Sequence, residues 1–260
     1  MNNMVKFTRT LYNELLRNLF KLVIEEYNVD LDEEIVCWYK TGAELKLPKD
    51  EYALLRGKDI LLSCRYRSGI GQVFTTAPRS YRGRLKNTLE LDLEHIQSNS
   101  IFHAVMNAVL KYLGLIDKTE HCVGEEPRLC GYLLSRKLLS DYGQTVKVLH
   151  IGYQPGHVEA LAQFFHDNLI VTDLADQFIW QKRYGRLIVD GVLNKYFIAQ
   201  ADVILITASS IVNNTAWEII NQARILGKKI IVYGVSASAA VYLLKSRRIV
   251  DIQQYCPYAK

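Results

Sequence analysis

The sequence predicts an α/β protein made of two unlike parts: an α+β part with an antiparallel meander, then a mostly parallel α/β part. Three observations carry this. Early in the chain, one helical stripe precedes strand-like runs joined by short connections, and short connections make neighbouring strands antiparallel. Later, strand-like runs alternate with helical stretches, the pattern of a parallel sheet covered by helices. The length, 260 residues with 49% hydrophobic and 23% charged, is comfortable for two domains with ample cores.

Leu11, Leu15, Leu19, Val23 and Tyr27, with Leu16, Phe20 and Ile24 beside them, recur at helical spacing. Strand candidates follow at "EEIVCWYKTGAELKL", "DILLSCRYR" and "GQVFTTAP". Ser68-Gly69-Ile70-Gly71 joins the last two, and its glycines suit a hairpin-like turn. "NSIFHAVMNAVLKYLGLI" resumes helical spacing, with Asn99 or Ser100 as a cap. His103 and Asn107 share a face of this helix, where ordinary hydrogen-bonded residues are favoured over a ligand pair. Periodicity breaks in "DKTEHCVGEEPRLCG", and "YLLSRKLLSDYG" reads as a linking helix ending near Gly143. We expect domains at 1–118 and 119–260.

In the second part, strands are expected at 147–151, 169–172, Val203–Thr207 and Lys229–Tyr233, with helices at 157–165 and 216–226. "VLHIGYQPGHVEAL" has the outline of a phosphate-binding turn, but Gln154 stands where a second glycine would approach a pyrophosphate. Pro155 also removes a backbone donor. His150 replaces the acid that an S-adenosylmethionine site would carry, whereas Asp173, 21 residues past Gly152, has the spacing of a ribose-binding carboxylate. Asp173, His157 and His150 have no spacing that marks a catalytic pair.

"ADVILITASSIVNNTAWEII" reads as a buried strand, a polar loop and a helix. Thr215 and Glu218 fit a capping box. That leaves Thr207, Ser209, Ser210, Asn213 and Asn214 crowded in one loop without a capping role. "KKIIVYGVSASAAVYLL" repeats the pattern, with Ser236 or Ser238 as cap. Strand ends at 152–157, 207–215 and 234–238 should therefore converge at the crevice where open parallel sheets bind ligands. Each helix start there is expected to offer free donors to an anion.

Net charge is +5, too mild to imply nucleic acid. Between Ile60 and Leu89 there is no acid, yet Arg65, Arg67, Arg79, Arg82, Arg84 and Lys86 fall there. Two readings stay open: a solvated sheet face, or a cleft wall that attracts an anion. No aromatic stacking motif accompanies these charges, so RNA binding is disfavoured. Five dispersed cysteines argue against a secreted disulfide framework. Without a signal-like amino terminus or an 18-residue apolar run, the expectation is a cytoplasmic protein with no membrane insertion. Asn213-Asn214-Thr215 is then read as structural rather than glycosylated. His121, Cys122, Glu125, Glu126 and Cys130 fall within eleven residues. His121, Cys122 and Cys130 are soft-metal donors, but the cysteine spacing is wide for zinc. Metal binding, a Cys122–Cys130 disulfide and plain thiols all stay open.

"ADVILITASSIVNNT" and "YGVSASAAVYLL", with "SGIGQVFTTAPRSYRGRL" and "IFHAVMNAVLKYLGL", resemble an uncharacterised prokaryotic family described by the phrase "putative heavy-metal chelation". The resemblance implies an enolase amino-terminal-like domain followed by a Rossmann-like domain, with a ligand cleft between them. Carried over, Gly152, Tyr153, Gln154, Asp173, Thr207, Asn213, Thr215 and Ser236 would bind the ligand, with Asn107 from the first domain. Ala208 and Asn214 replace family glycines, and "GVSASA" lacks the family proline, so a tight turn or close ligand approach is expected to be lost. The function expected is binding of a small polar or anionic molecule, or a metal complex. The alternative is a transferase, such as a methyltransferase, with a nucleotide-like cofactor. The cofactor is open, a heavy-metal ion or complex included, and so is self-association.

Overall fold

The computed structural model describes residues 8–40 and 59–260. Helix α1 (Arg9–Glu26) starts where Thr8 Oγ1 accepts from Leu11 N. It buries Tyr12, Leu16, Leu19, Phe20, Val23 and Ile24. Leu11 and Tyr27, expected in the apolar stripe, are exposed instead, because the buried face is centred on Tyr12.

Strands β1 (Glu34–Lys40), β2 (Ile60–Tyr66), β3 (Gly69–Thr75) and β4 (Tyr81–Arg84) form an antiparallel sheet in the order β3-β2-β1-β4. The rest of the first strand candidate, 41–47, lies outside the described residues. The β1–β2 register sets Cys37 opposite Cys64, and the two form a disulfide. Reading the cysteines as merely dispersed missed this, because separation along the chain says nothing of cross-strand pairing.

The β2–β3 turn is Arg67-Ser68, one step earlier than expected, with Arg67 at φ 50°. Gly69 and Gly71 lie inside β3, where their task is close packing under α3 (Ile96–Tyr112). A Cβ on either would sit 2.1 Å from a helix carbonyl, Ala108 O or Ala104 O. Helix α3 begins before Asn99 and Ser100, so neither caps it. Ser100 Oγ donates to Ile96 O, and Asn99 Nδ2 reaches Val212 O. A short helix, α2 (Leu85–Thr88), precedes it.

The basic stretch is a solvated face. All six cations are exposed, and Arg67, Arg82, Arg84 and Lys86 pair with Glu33, Glu34, Asp32 and Asp32. The anion-attracting alternative is thereby set aside.

Helix α4 (Glu126–Tyr142) starts earlier than the expected linking helix and ends at Gly143, φ 79°. The second sheet has seven strands, β5 (Val148–Ile151), β6 (Leu169–Asp173), β7 (Lys182–Arg183), β8 (Arg186–Asp190), β9 (Val203–Thr207), β10 (Lys229–Tyr233) and β11 (Ile252–Tyr255). Their order is β11-β10-β9-β5-β6-β8-β7, parallel throughout except for β7 against β8. Helices α5 (Pro155–Phe165), α6 (Asn194–Gln200), α7 (Ala208–Val212), α8 (Trp217–Ile225) and α9 (Ser238–Ser246) connect them.

Successive strand residues point to opposite faces, so the sheet feeds two cores. Ile204 and Ile206 join one with Ile230 and Val232, while Val203 and Leu205 join the other beneath α4 and α5. The first core runs without a break into the antiparallel half. Tyr12 of α1 stacks on Trp217 of α8, ring centroids 4.4 Å apart. No helix among the described residues is long and apolar enough to cross a membrane.

Candidate functional site

Strand order reverses around β5, which has β6 on one side and β9 on the other. Loops leaving β5 and β9 therefore diverge and leave a crevice at their carboxyl ends. Here Gly152 adopts φ 91°, a region that favours glycine, and a Cβ would lie 2.7 Å from Thr207 Cγ2. Tyr233 Oη closes the strand end, 2.9 Å from Ile151 O and 2.6 Å from Gly152 O. Burial, with Asp173 nearby, holds its phenol well above the usual range.

Asp173 ends β6 and accepts hydrogen bonds from Tyr153 N and Ala175 N. Burial raises its pKa, against the pull of these donors. The carboxylate thus ties the β5 turn to the β6 turn. Gln154 is the N-cap of α5, its Oε1 accepting from His157 N. That explains a glutamine where a glycine was the reference, and it uses a donor that an anion would need.

The expected polar loop after Thr207 is the short helix α7. Ser210 Oγ donates to Thr207 O, and Thr207 Oγ1 lies 3.0 Å from Ser209 Oγ. The Thr215–Glu218 capping box does not form: α8 has Ala216 as N-cap without a side-chain bond, and Thr215 Oγ1 donates to Ser210 O. A tight turn at α7 takes Thr215 back over that helix, away from the α8 amides.

Asn213 Oδ1 accepts from Thr76 N and Thr76 Oγ1 of the antiparallel half. Asn214 has φ 60°, a conformation that asparagine tolerates better than most residues. The turn expected to be lost with the family glycine is therefore kept. Its amide accepts from Asn13 and Asn99 and donates to Leu93 O.

Neither Ser236 nor Ser238 caps α9 by a side-chain bond. Ser236 Oγ accepts from Phe74 N at 2.9 Å and lies 3.2 Å from His121 Nε2. The capping acceptor comes from across the molecule: Asn107 Oδ1 accepts from Ala239 N.

Between the halves lies a cavity of about 1640 Å³. Gly152, Tyr153, Gln154, Asp173, Thr207, Asn213, Thr215 and Ser236 line it, as do His121, Cys122 and Cys130. Asn107 does not line it; the residue is fully buried, and its amide donates to Val235 O and Ser236 O. None of the six cations of the basic stretch lines it either. Among the described residues, its charged walls carry Asp59, Asp173, Asp176 and Glu218 against Arg9 and Lys195.

Two contributors, Asp59 and Cys256, were not anticipated. Asp59, just before β2, has its carboxyl pushed up to about 6, first by burial and then by Asp173. Cys256 follows β11, whose downstream chain folds back so that Lys118 Nζ reaches Pro257 O. Cys256 lines the cavity, as do Cys122 and Cys130. His157 joins the same wall, its Nδ1 lying 3.4 Å from His150 Nε2. Burial holds His121 and His157 down at about 4, so both imidazoles are neutral at pH 7. Cys122 and Cys130 are free thiols. Among the described residues, no three or more His, Cys, Asp or Glu side chains are grouped as they would be around a metal ion.

Residues 137–253 match the family model DUF364, described as "Putative heavy-metal chelation". No curated protein matches the chain. A DUF364 protein of unknown function from Pyrococcus horikoshii has a similar crystal structure, with TM-score 0.57 and 16% identity. That match covers 89% of this chain and 83% of the other. One from Desulfitobacterium hafniense DCB-2, also of unknown function, gives TM-score 0.53 and 15% identity over 91% and 84%. At these identities the structures speak for the fold. The resemblance read from the sequence is thus to the DUF364 family, matched over residues 137–253 and sharing its fold along most of the chain.

Proposed function

We propose that the cavity between the two halves binds a small polar molecule or a metal complex. The observation that carries this is the cavity itself, placed at the reversal of strand order and walled by both halves. Small-molecule sites usually occupy about 300–1,000 Å³, so such a ligand fills only part of it.

The walls favour a neutral or cationic ligand over an anionic one. Among the described residues, four carboxylates face two cations. The first-turn amides of His157 and Ala239 are already held by Gln154 and Asn107, and Glu218 occupies the first turn of α8. The same spent donors count against a nucleotide-like cofactor, and with it the transferase alternative. The description of the matched family, heavy-metal chelation, agrees with a metal-containing ligand.

The test is native mass spectrometry of protein purified without a metal-binding tag, together with thermal shifts in fractionated extract. Wild type should carry, or be stabilised by, a small molecule that Ser209→Trp excludes by placing an indole in the cavity. Equal mass and equal stabilisation in both proteins would discard the cavity as the site.

A further inference from the structure

The cavity has an apolar collar. Leu174, Val192, Ile225 and Leu226 all line it, yet they are 58%, 72%, 46% and 44% exposed, so they stand where it opens to solvent. They form one arc rather than scattered points. A Cβ on Gly191 would lie 2.9 Å from Leu174 Cδ2, and Gly191 leads through Val192 into α6. Gln222 Nε2 of α8 donates to Lys195 O of α6 at 2.6 Å. Leu226 N in turn donates to Gln222 O at the end of α8. Gly191, Lys195 and Gln222 line the cavity as well, which joins the two ends of the arc.

We propose that this collar holds the hydrocarbon part of an amphiphilic ligand whose uncharged or cationic head lies beside Asp173. The inference deepens the cavity reading and rests on it. Single exposed apolar side chains are ordinary, but a contiguous run of them marks a binding surface. Here the run continues into a cavity, so the molecule that enters the cavity is the one that covers it.

Size and charge define that molecule. A polar head alone leaves much of about 1640 Å³ unfilled, and a hydrocarbon chain or ring supplies the missing volume. Asp173 and Leu174 are consecutive. The carboxylate of the first is held inward by Tyr153 N and Ala175 N, while the second is exposed. The polar and apolar ends of the site therefore meet at a single turn of chain after β6. Among the described residues, acids outnumber cations in the wall, which repels a fatty acid and favours an amine or an alcohol.

The test is calorimetric titration with n-alkylammonium ions from butyl to octyl, below their micelle concentrations. Wild type should bind them with affinity that rises about fourfold for each methylene reaching the collar. The double variant Leu174→Ser, Val192→Ser should lose most of that gain; both side chains are exposed, so the core is left intact. Affinity that ignores chain length, or a gain that survives in the double variant, would overturn the collar's role. If octylammonium binds without the gain and Ser209→Trp abolishes its binding, the collar's role falls and the cavity reading stands. Failure of every member to bind wild type also overturns the collar's role, and mass spectrometry of copurified ligand then judges the cavity alone. A wild-type dimer that the double variant dissociates, seen by analytical ultracentrifugation, would give the collar to a second copy and overturn the inference.

Discussion

Asn107 Oδ1, on a helix of the antiparallel half, accepts a hydrogen bond from Ala239 N at 2.9 Å in the first turn of α9. The same side chain donates to Val235 O and Ser236 O from its Nδ2. One buried amide thus caps a helix and pairs two carbonyls in the other half. A buried polar group left without a partner costs about 1–3 kcal/mol. Asn107→Leu should therefore lower stability by at least that amount, and Asn107→Asp should lower it too, since it keeps the acceptor and loses the donors. Urea denaturation measures both; a neutral Asn107→Leu would show that the two halves dock without this contact.

A second prediction concerns Gly152 and Thr207. Gly152→Ala introduces a Cβ at φ 91°, 2.7 Å from Thr207 Cγ2, and overpacking of this kind costs about 1–3 kcal/mol. Thr207→Ser removes that methyl group, so the double variant should recover part of the loss. Thermal melts of the two single variants and the double variant form the cycle. Strict additivity would show that the contact is relieved by backbone movement.

Asp59 gives the fold a pH dependence of defined sign. Its folded pKa of about 6 lies above the ordinary aspartate value of 3.8, so between these values the folded state binds more protons than the unfolded one. Its contribution to stability is present at low pH and is lost as pH rises from about 4 through 6. Asp59→Asn should raise stability at pH 7 by about 1–3 kcal/mol and do little at pH 4. Burial of His103, pushed down to about 3, acts oppositely, destabilising the fold as pH falls below 6.5. Comparing variant with wild type at each pH cancels that term. An equal effect of Asp59→Asn at both pH values would contradict the raised pKa.

Much of the parallel sheet was legible because its strands are apolar runs buried on both faces. Val203–Thr207 and Lys229–Tyr233 occur with the expected bounds, and β5 and β6 differ by one residue. Strands β4, β7, β8 and β11 were not legible: they are short or polar and lie toward sheet edges, where no hydrophobic period marks them. Capping was the least legible feature. Thr215, Ser236 and Ser238 have suitable chemistry, yet α9 takes its acceptor from Asn107, 132 positions away, and no local pattern encodes such a contact. The same reason hid the Cys37–Cys64 bond, Asp59 and Cys256, each brought into place by pairing between distant segments.

The central claim is that the space between Asp173, Thr207 and Ser236 is where a small ligand sits. A crystallographic difference map of protein purified from its native source, with anomalous data to mark any metal, tests this most directly. Compact unexplained density in contact with residues from both halves is the predicted result. Density for a copurified ligand elsewhere, with solvent alone between Asp173 and Ser236, would contradict it.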